Sequence, residues 1–153
     1  MLRKAQIADI KNIWKLLSHF AERGDMLSRS LSELYEALRD FYIFEEEGKL
    51  IGAAALHIVW ENLAEIRSVA VAEEAERKGI GTKLVNACID EAKSLGLPRV
   101  FCLTYKPEFF GRFGFKVADK TELPQKVWGD CIKCPKFPEC DEIAMILNLE
   151  QGA

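Results

Sequence analysis

No apolar run in the sequence is long enough to cross a bilayer. Residues 1–10 lack the basic-then-apolar layout of a signal peptide. Both absences lead us to expect a cytoplasmic chain. There is no long basic run and the net charge is -3, so an extended nucleic-acid surface is not expected. No internal repeat and no low-complexity linker appears, which argues against solenoids and tethered modules. Only two histidines are present, His19 and His57. Neither has readable triad partners, so both are expected to be structural. The 153 residues leave no room for two ordinary domains, and a single domain over 1–153 is expected. Apolar residues make up 49% and charged residues 29%, enough of each for a core and a hydrated surface. In a reducing compartment the five cysteines are expected to be reduced thiols, metal ligands or redox groups, not a disulfide framework.

Periodicity supplies the elements. Residues 2–6 read as an edge strand. Asp9 offers an N-cap, and Ile10, Ile13, Trp14, Leu17 and Phe20 recur at helical spacing up to Gly24. Ser30 and Glu33 form a capping-box pattern before Leu31, Leu34 and Leu38. Residues 41–45 and 50–60 read as strands around a turn at 46–49, and residues 64–71 as a third strand. Residues 79–95 give the clearest helix, with Leu84, Val85, Cys88, Ala92 and Leu95 on one face. Gly96 stands where a C-terminal glycine cap belongs and Pro98 bars continuation. Residues 99–104, 115–117 and 142–149 read as strands and 107–113 as a short helix. The order predicts an α/β (α+β) fold: a mixed, mostly antiparallel sheet flanked by helices, with one parallel crossover from 64 to 104. Residues 123–140 read as an irregular loop rich in proline and cysteine.

The segment Glu76-Arg77-Lys78-Gly79-Ile80-Gly81-Thr82 follows a strand and opens the best helix. Its glycines let a bulky anion approach the backbone. The first helical N–H groups have no internal partners and the helix dipole favours negative charge there. Arg77 and Lys78 add cationic reach. The pattern fits a pyrophosphate cradle, and it also fits a plain strand-to-helix turn. It has neither the Gly-x-Gly-x-x-Gly nor the Walker layout.

Three blocks, Glu65 to Val71, Glu76 to Leu84, and Phe109-Phe110-Gly111-Arg112-Phe113-Gly114-Phe115, resemble the GNAT acetyltransferases in content and spacing. The resemblance runs from the first strand to the last. Ser28-Arg29-Ser30, Leu103-Thr104-Tyr105 and Lys126-Val127-Trp128-Gly129-Asp130-Cys131 are similar to the short, stand-alone amino-acid N-acetyltransferases, which resemble the acetyl-transfer domain of N-acetylglutamate synthase. The longer synthases add an amino-acid-kinase-like domain, so regulation through such a domain is not expected here.

The resemblance implies a GNAT-like acyl-CoA N-acyltransferase fold with acetyl-coenzyme A as cosubstrate and no metal in the chemistry. It implies that Arg77, Lys78, Gly79, Ile80, Gly81 and Thr82 hold the pyrophosphate, that Val69, Ala70 and Val71 pair with the pantetheine arm, and that Phe109, Phe110 and Arg112 border the coenzyme. Glu76 departs from the Gln or Arg usual at its position, a small loss because the contacts are mainly backbone. It further implies a small amino acid, glutamate foremost, as acceptor in arginine biosynthesis, with Arg29 as a substrate ligand; Arg67 joins it as a candidate because strand alternation puts it on the face of Glu65. Arginine suits this task because its fork matches a carboxylate. For each arginine an ordinary surface ion pair is the competing reading.

A protonated amine cannot attack a thioester, so a base is needed. Uninterrupted alternation along 64–71 would put Glu65, Arg67, Val69 and Val71 on one face. A carboxylate at the position of Glu65 is similar to the family's usual base; the competing reading is an ion-paired strand residue. A bulge near Val69 would free a backbone N–H for the oxyanion. Phe110 stands where many members carry a tyrosine acid. Tyr105 is the alternative proton donor, or coenzyme A leaves unaided as a thiolate.

Cys131, Cys134 and Cys140 are weaker than a two-pair zinc ribbon, and reduced, loop-packing thiols are the preferred reading. Cys88 and Cys102 are expected in the core. Competing functions are acetylation of a polyamine, drug or protein amine, or a non-catalytic acyl-CoA sensor. An acidic acceptor pocket would favour a polyamine, and paired arginines a carboxylate. A homodimer is expected only as the commonest oligomer.

Overall fold

Among the described residues seven strands form one mixed sheet, and the order in which they pair explains most of the architecture. A computed structural model describes residues 1–123 and 142–149. The elements are β1 (Leu2–Lys4), α1 (Ile10–Glu22), α2 (Leu31–Glu36), β2 (Phe41–Glu46), β3 (Lys49–Trp60), β4 (Leu63–Val71), α3 (Ile80–Ser94), β5 (Arg99–Thr104), α4 (Pro107–Gly111), β6 (Lys116–Val117) and β7 (Ile143–Asn148), with short 3-10 turns between some of them. The sheet order is β1-β2-β3-β4-β5-β7-β6. β1–β2, β2–β3, β5–β7 and β6–β7 are antiparallel, and β4–β5, joined through α3, is parallel, Ala64 facing Val100 and Glu65 facing Phe101. The mixed sheet with its parallel crossover is therefore as the sequence predicts.

By contact density the chain divides into two units, Met1–His57 with Ile66–Glu91, and Ile58–Glu65 with Ala92–Ala153. In the first, α1 turns Ile10, Ile13, Leu17 and Phe20 onto Phe41, Ile43, Ala53 and Ala55 of the sheet, all buried. Trp14, expected on that face, is 37% exposed. Its position lies at the margin of the stripe, where the wide indole reaches solvent. Ser30 caps α2 as its sequence predicts: its hydroxyl accepts from the Glu33 N–H at 3.1 Å. Asp9 does not cap α1 with its side chain. It ends a 3-10 turn, and its carboxylate accepts from the Gln6 N–H at 2.7 Å and from both arms of the Arg3 guanidinium at 2.8 and 3.0 Å. The bidentate ion pair outcompetes the cap because it satisfies both oxygens with charged donors. It also holds Asp9 well below the usual carboxylate range; burial opposes this and the Gln6 N–H assists.

The β2–β3 hairpin closes through Glu47 and Gly48, at φ 53° and 76°. This is the two-residue turn whose twist matches its strands. Gly52 of β3 is also required. A Cβ there would lie 3.0 Å from both Ile80 Cγ2 and Leu84 Cδ1, so its absence lets the start of α3 rest on the strand.

In the second unit, Leu63, Phe101, Leu123 and Ala144 form a buried cluster. α3 ends as the glycine signal predicts. Gly96 sits at φ 81°, its N–H donates to the Lys93 carbonyl, and the Leu97 N–H donates to the Ala92 carbonyl. This is the paired Schellman closure. Leu95, expected on the apolar face, lies beyond the helix and is 51% exposed. Cys88 and Cys102 are buried free thiols, as expected of core residues.

Candidate active site

The glycine turn has the geometry of an anion cradle. Arg77 and Gly79 both adopt left-handed backbone, at φ 71° and 75°. For an arginine that conformation costs about 1 kcal/mol or more. The turn leads into α3, whose first backbone bond runs from the Lys83 N–H to the Gly79 carbonyl at 3.1 Å. The N–H groups of Ile80, Gly81 and Thr82 therefore have no acceptor within the helix. Arg77, Lys78, Gly79 and Thr82 are exposed, and no atom lies within 4 Å of the place where a Cβ on Gly79 would stand. Open backbone donors, a helix N-terminus and two cations fit a pyrophosphate. Arg77 to Thr82, the residues expected from sequence to hold a pyrophosphate, thus form one turn at the start of α3.

β4 runs towards this turn. Ala70 is buried, Val69 and Val71 are partly exposed, and the Ala72 N–H donates to the Ile51 carbonyl at 2.8 Å. Ser68 has φ 57°. A left-handed residue inside a strand is the signature of a bulge. It corrects the assumption of uninterrupted alternation over 64–71: Glu65 and Arg67 precede the break, while Val69 and Val71 follow it. No residue type announces this, because serine carries no glycine-like signal.

Glu65 is only 3% exposed, and it faces Phe101 in the parallel ladder. Burial pushes the neighbouring Cys102 thiol well above its ordinary value, and the charges of Glu65 and Glu142 push it further. Cys102 is therefore an inert thiol. Tyr105 is half-buried just after β5, where the Lys106 N–H donates to Thr104 Oγ1 at 2.8 Å and ends the strand. Phe109 and Phe110 lie edge to face at 5.0 Å, and Phe110 meets Phe115 at 5.5 Å. Phe110 is 6% exposed, so most of its surface is used in packing. Arg112 is exposed and lies over the Phe109 ring at 5.3 Å.

A recess in the first unit joins the two arginines singled out from sequence. Arg29 and Arg67 line it together with Glu33, Asp40 and Ser68, over apolar Leu34, Phe41 and Ala55. Arg29 reaches Glu33 at 3.5 Å, one helical turn on. Asp40 Oδ2 lies 2.7 Å from Nδ1 of His57. Sequence reading missed Asp40 and took Glu33 only as a cap. It left His57 without a partner because that partner stands seventeen residues away on another element. His19 likewise meets Glu73, at 3.1 Å.

Cys131, Cys134 and Cys140 lie outside the described residues. Among the described residues no group of three or more His, Cys, Asp or Glu is arranged to hold a metal, and no helix is long and apolar enough to cross a membrane.

Residues 8–115 match the acetyltransferase (GNAT) family. An uncharacterized N-acetyltransferase of Chlorobaculum tepidum is 42% identical over 148 residues, covering 97% of this chain and 96% of that protein. The amino-acid acetyltransferase of Mycobacterium tuberculosis is 36% identical over 133 residues, 85% of this chain and 76% of its own length. Among solved structures, N-acetylglutamate synthase from Neisseria gonorrhoeae, complexed with coenzyme A and N-acetyl-glutamate, superposes with a TM-score of 0.88 at 30% identity. That match covers 98% of this chain and 35% of the synthase.

Proposed function

Because the chain belongs to the acetyltransferase (GNAT) family, an acetyl-coenzyme A-dependent group of N-acetyltransferases, we propose that it acetylates the amino group of a small amino acid, with L-glutamate as the leading acceptor. The observation that carries this reading is the recess that Arg29 and Arg67 both line. Two guanidinium groups suit the carboxylates of an amino acid. The curated relatives named amino-acid acetyltransferase support the same class of acceptor. The reading treats residues 1–153 as one N-acetyltransferase domain and carries a cytoplasmic role in arginine biosynthesis with it.

In this reading the N–H groups of residues 79–82 and the cations Arg77 and Lys78 receive the pyrophosphate of acetyl-coenzyme A, with Val69, Ala70 and Val71 along the pantetheine arm. Glu65 takes a proton from the acceptor ammonium, directly or through one water. The freed amine attacks the thioester carbonyl and forms the C–N bond; the tetrahedral adduct then breaks its C–S bond while its nitrogen releases a second proton to solvent, with no acyl-enzyme. The bulge at Ser68 is the local distortion that would release the Val69 N–H towards the oxyanion. Coenzyme A departs as a thiolate, and Tyr105 is the side chain proposed to return a proton to it. Phe109 and Arg112 contribute the surface that borders the coenzyme, backed by buried Phe110.

A second reading rests on Glu33 and Asp40, which put two acids in the same recess and suit a polyamine or another amine. Thiol release from acetyl-coenzyme A, measured against amino acids, polyamines and peptides, separates the two. Turnover with amino acids and not with spermidine supports the first; the reverse pattern replaces it. In Glu65→Gln the rate should fall about a hundredfold or more with acetyl-coenzyme A affinity retained, and unchanged turnover removes Glu65 from the mechanism.

A further inference from the structure

The recess that joins Arg29 and Arg67 carries as many formal negative charges as positive ones, since Glu33 and Asp40 line it too. The two acids are not equivalent. Glu33 is 56% exposed at its side chain, lies 3.5 Å from Arg29 and serves the cap of α2, so water and its partner screen it. The side chain of Asp40 is only 26% exposed. Its position is fixed by the fold. Asp40 ends the 3-10 turn Leu38–Asp40, the next residue, Phe41, pairs with Ala55 across the β2–β3 ladder, and His57 follows Ala55 by two residues on the same face of β3. That register sets Nδ1 of His57 2.7 Å from Oδ2 of Asp40.

We propose that Asp40, seated by His57, is the residue that discriminates between an acceptor bearing a second carboxylate and its neutral amide. The inference rests on the reading that this recess takes an amino acid. A carboxylate only accepts hydrogen bonds, and with Oδ2 engaged by the imidazole its remaining acceptor capacity suits an amide N–H. The same charge works against the pull of Arg29 and Arg67 on a second carboxylate, so in the parent it narrows the preference for L-glutamate over L-glutamine that the arginines set. His57 does not line the recess itself and acts through Asp40, as a positioning residue.

The test compares kcat/KM for L-glutamate and L-glutamine, by coenzyme A thiol release, in the parent and in Asp40→Asn. Removing one negative charge from the recess shifts the glutamate-to-glutamine ratio upward roughly tenfold or more. Because the ratio is taken within one preparation, partial unfolding cancels; Asp40→Ser carries the same test should Asp40→Asn be insoluble. His57→Leu is expected to move the ratio in the same direction, and His57→Asn, which keeps a donor, to restore it. A ratio unmoved by Asp40→Asn, with both acids still turned over, overturns this inference and leaves the amino-acid reading standing. An effect of Asp40→Asn without one of His57→Leu removes the positioning role. A parent that turns over neither acid overturns both the inference and the reading beneath it.

Discussion

Placing a methyl group on Gly52 tests how closely the cradle helix must approach the sheet. In Gly52→Ala the new Cβ would stand 3.0 Å from Ile80 Cγ2, 3.0 Å from Leu84 Cδ1 and 3.5 Å from the Ala70 carbonyl oxygen. Ile80 and Leu84 are buried, so neither side chain has free space to swing into. Overpacking of this kind costs about 1–3 kcal/mol. Replacing glycine returns about 0.4–1 kcal/mol by narrowing the unfolded ensemble. The net expectation is a loss of about 1 kcal/mol, or roughly 2–4 °C in Tm for a chain of this length. Gly52→Val adds two further methyls and should lose about 3 kcal/mol or more, if it folds at all. The displaced group includes Ile80, the first residue of α3, so acetyl-coenzyme A affinity should fall along with Tm. Thermal denaturation followed by circular dichroism, paired with titration calorimetry, reads both. A Gly52→Ala protein as stable as the parent, with unchanged coenzyme affinity, refutes the close-approach reasoning.

Gly81→Trp should block acetyl-coenzyme A binding by filling the cradle, while parental affinity in calorimetry would argue for a plain turn. Arg3→Met should cost about 1–2 kcal/mol, because Asp9 loses a bidentate, partly buried partner and Glu45 loses its contact at 3.1 Å. The low folded-state pKa of Asp9 contributes stability that is present above the unfolded carboxylate value and lost as pH falls through the folded one. Parent and Arg3→Met should therefore differ most near neutral pH and converge in acid, as urea titrations across pH would show; a constant gap would discount the pair. Ser30→Ala should lose about 1 kcal/mol by opening the α2 capping box, and a smaller loss together with unchanged turnover would leave the cap without influence on Arg29.

Local rules recovered what depends on neighbours in sequence. The capping box at Ser30, the glycine closure after α3 and the apolar stripe of α1 each rest on contacts within a turn or two, and the structure keeps all three. Where local preference met a stronger partner, the partner prevailed. Asp9 left its capping role for Arg3, and the chain around Ser68 adopts a backbone that no residue type requires. The same division holds at the site. The glycine turn was legible because helix, glycines and cations are contiguous. Arg29 was legible through family resemblance and Arg67 through strand alternation with Glu65, and the fold brings them to one recess. Asp40 and His57 were not legible as a pair, since their meeting depends on the register of β2 against β3.

The strand order β5-β7-β6 has a consequence for the order in which the protein can be made. β6 is only two residues long, and its ladder partner is β7, through Lys116–Ile146 and Val117–Met145. β7 also covers the whole of β5, from Arg99–Asn148 to Thr104–Ile143. On the ribosome β6 emerges first and must wait, and the edge of β5, rich in Val100, Phe101 and Leu103, waits with it. Until β7 arrives the nascent chain presents an open apolar edge, the kind of surface that invites pairing with another chain. Of the described strands, the one synthesised last is thus the one that joins β5 to β6. A stall in translation between β6 and β7 would leave the protein at its most adhesive.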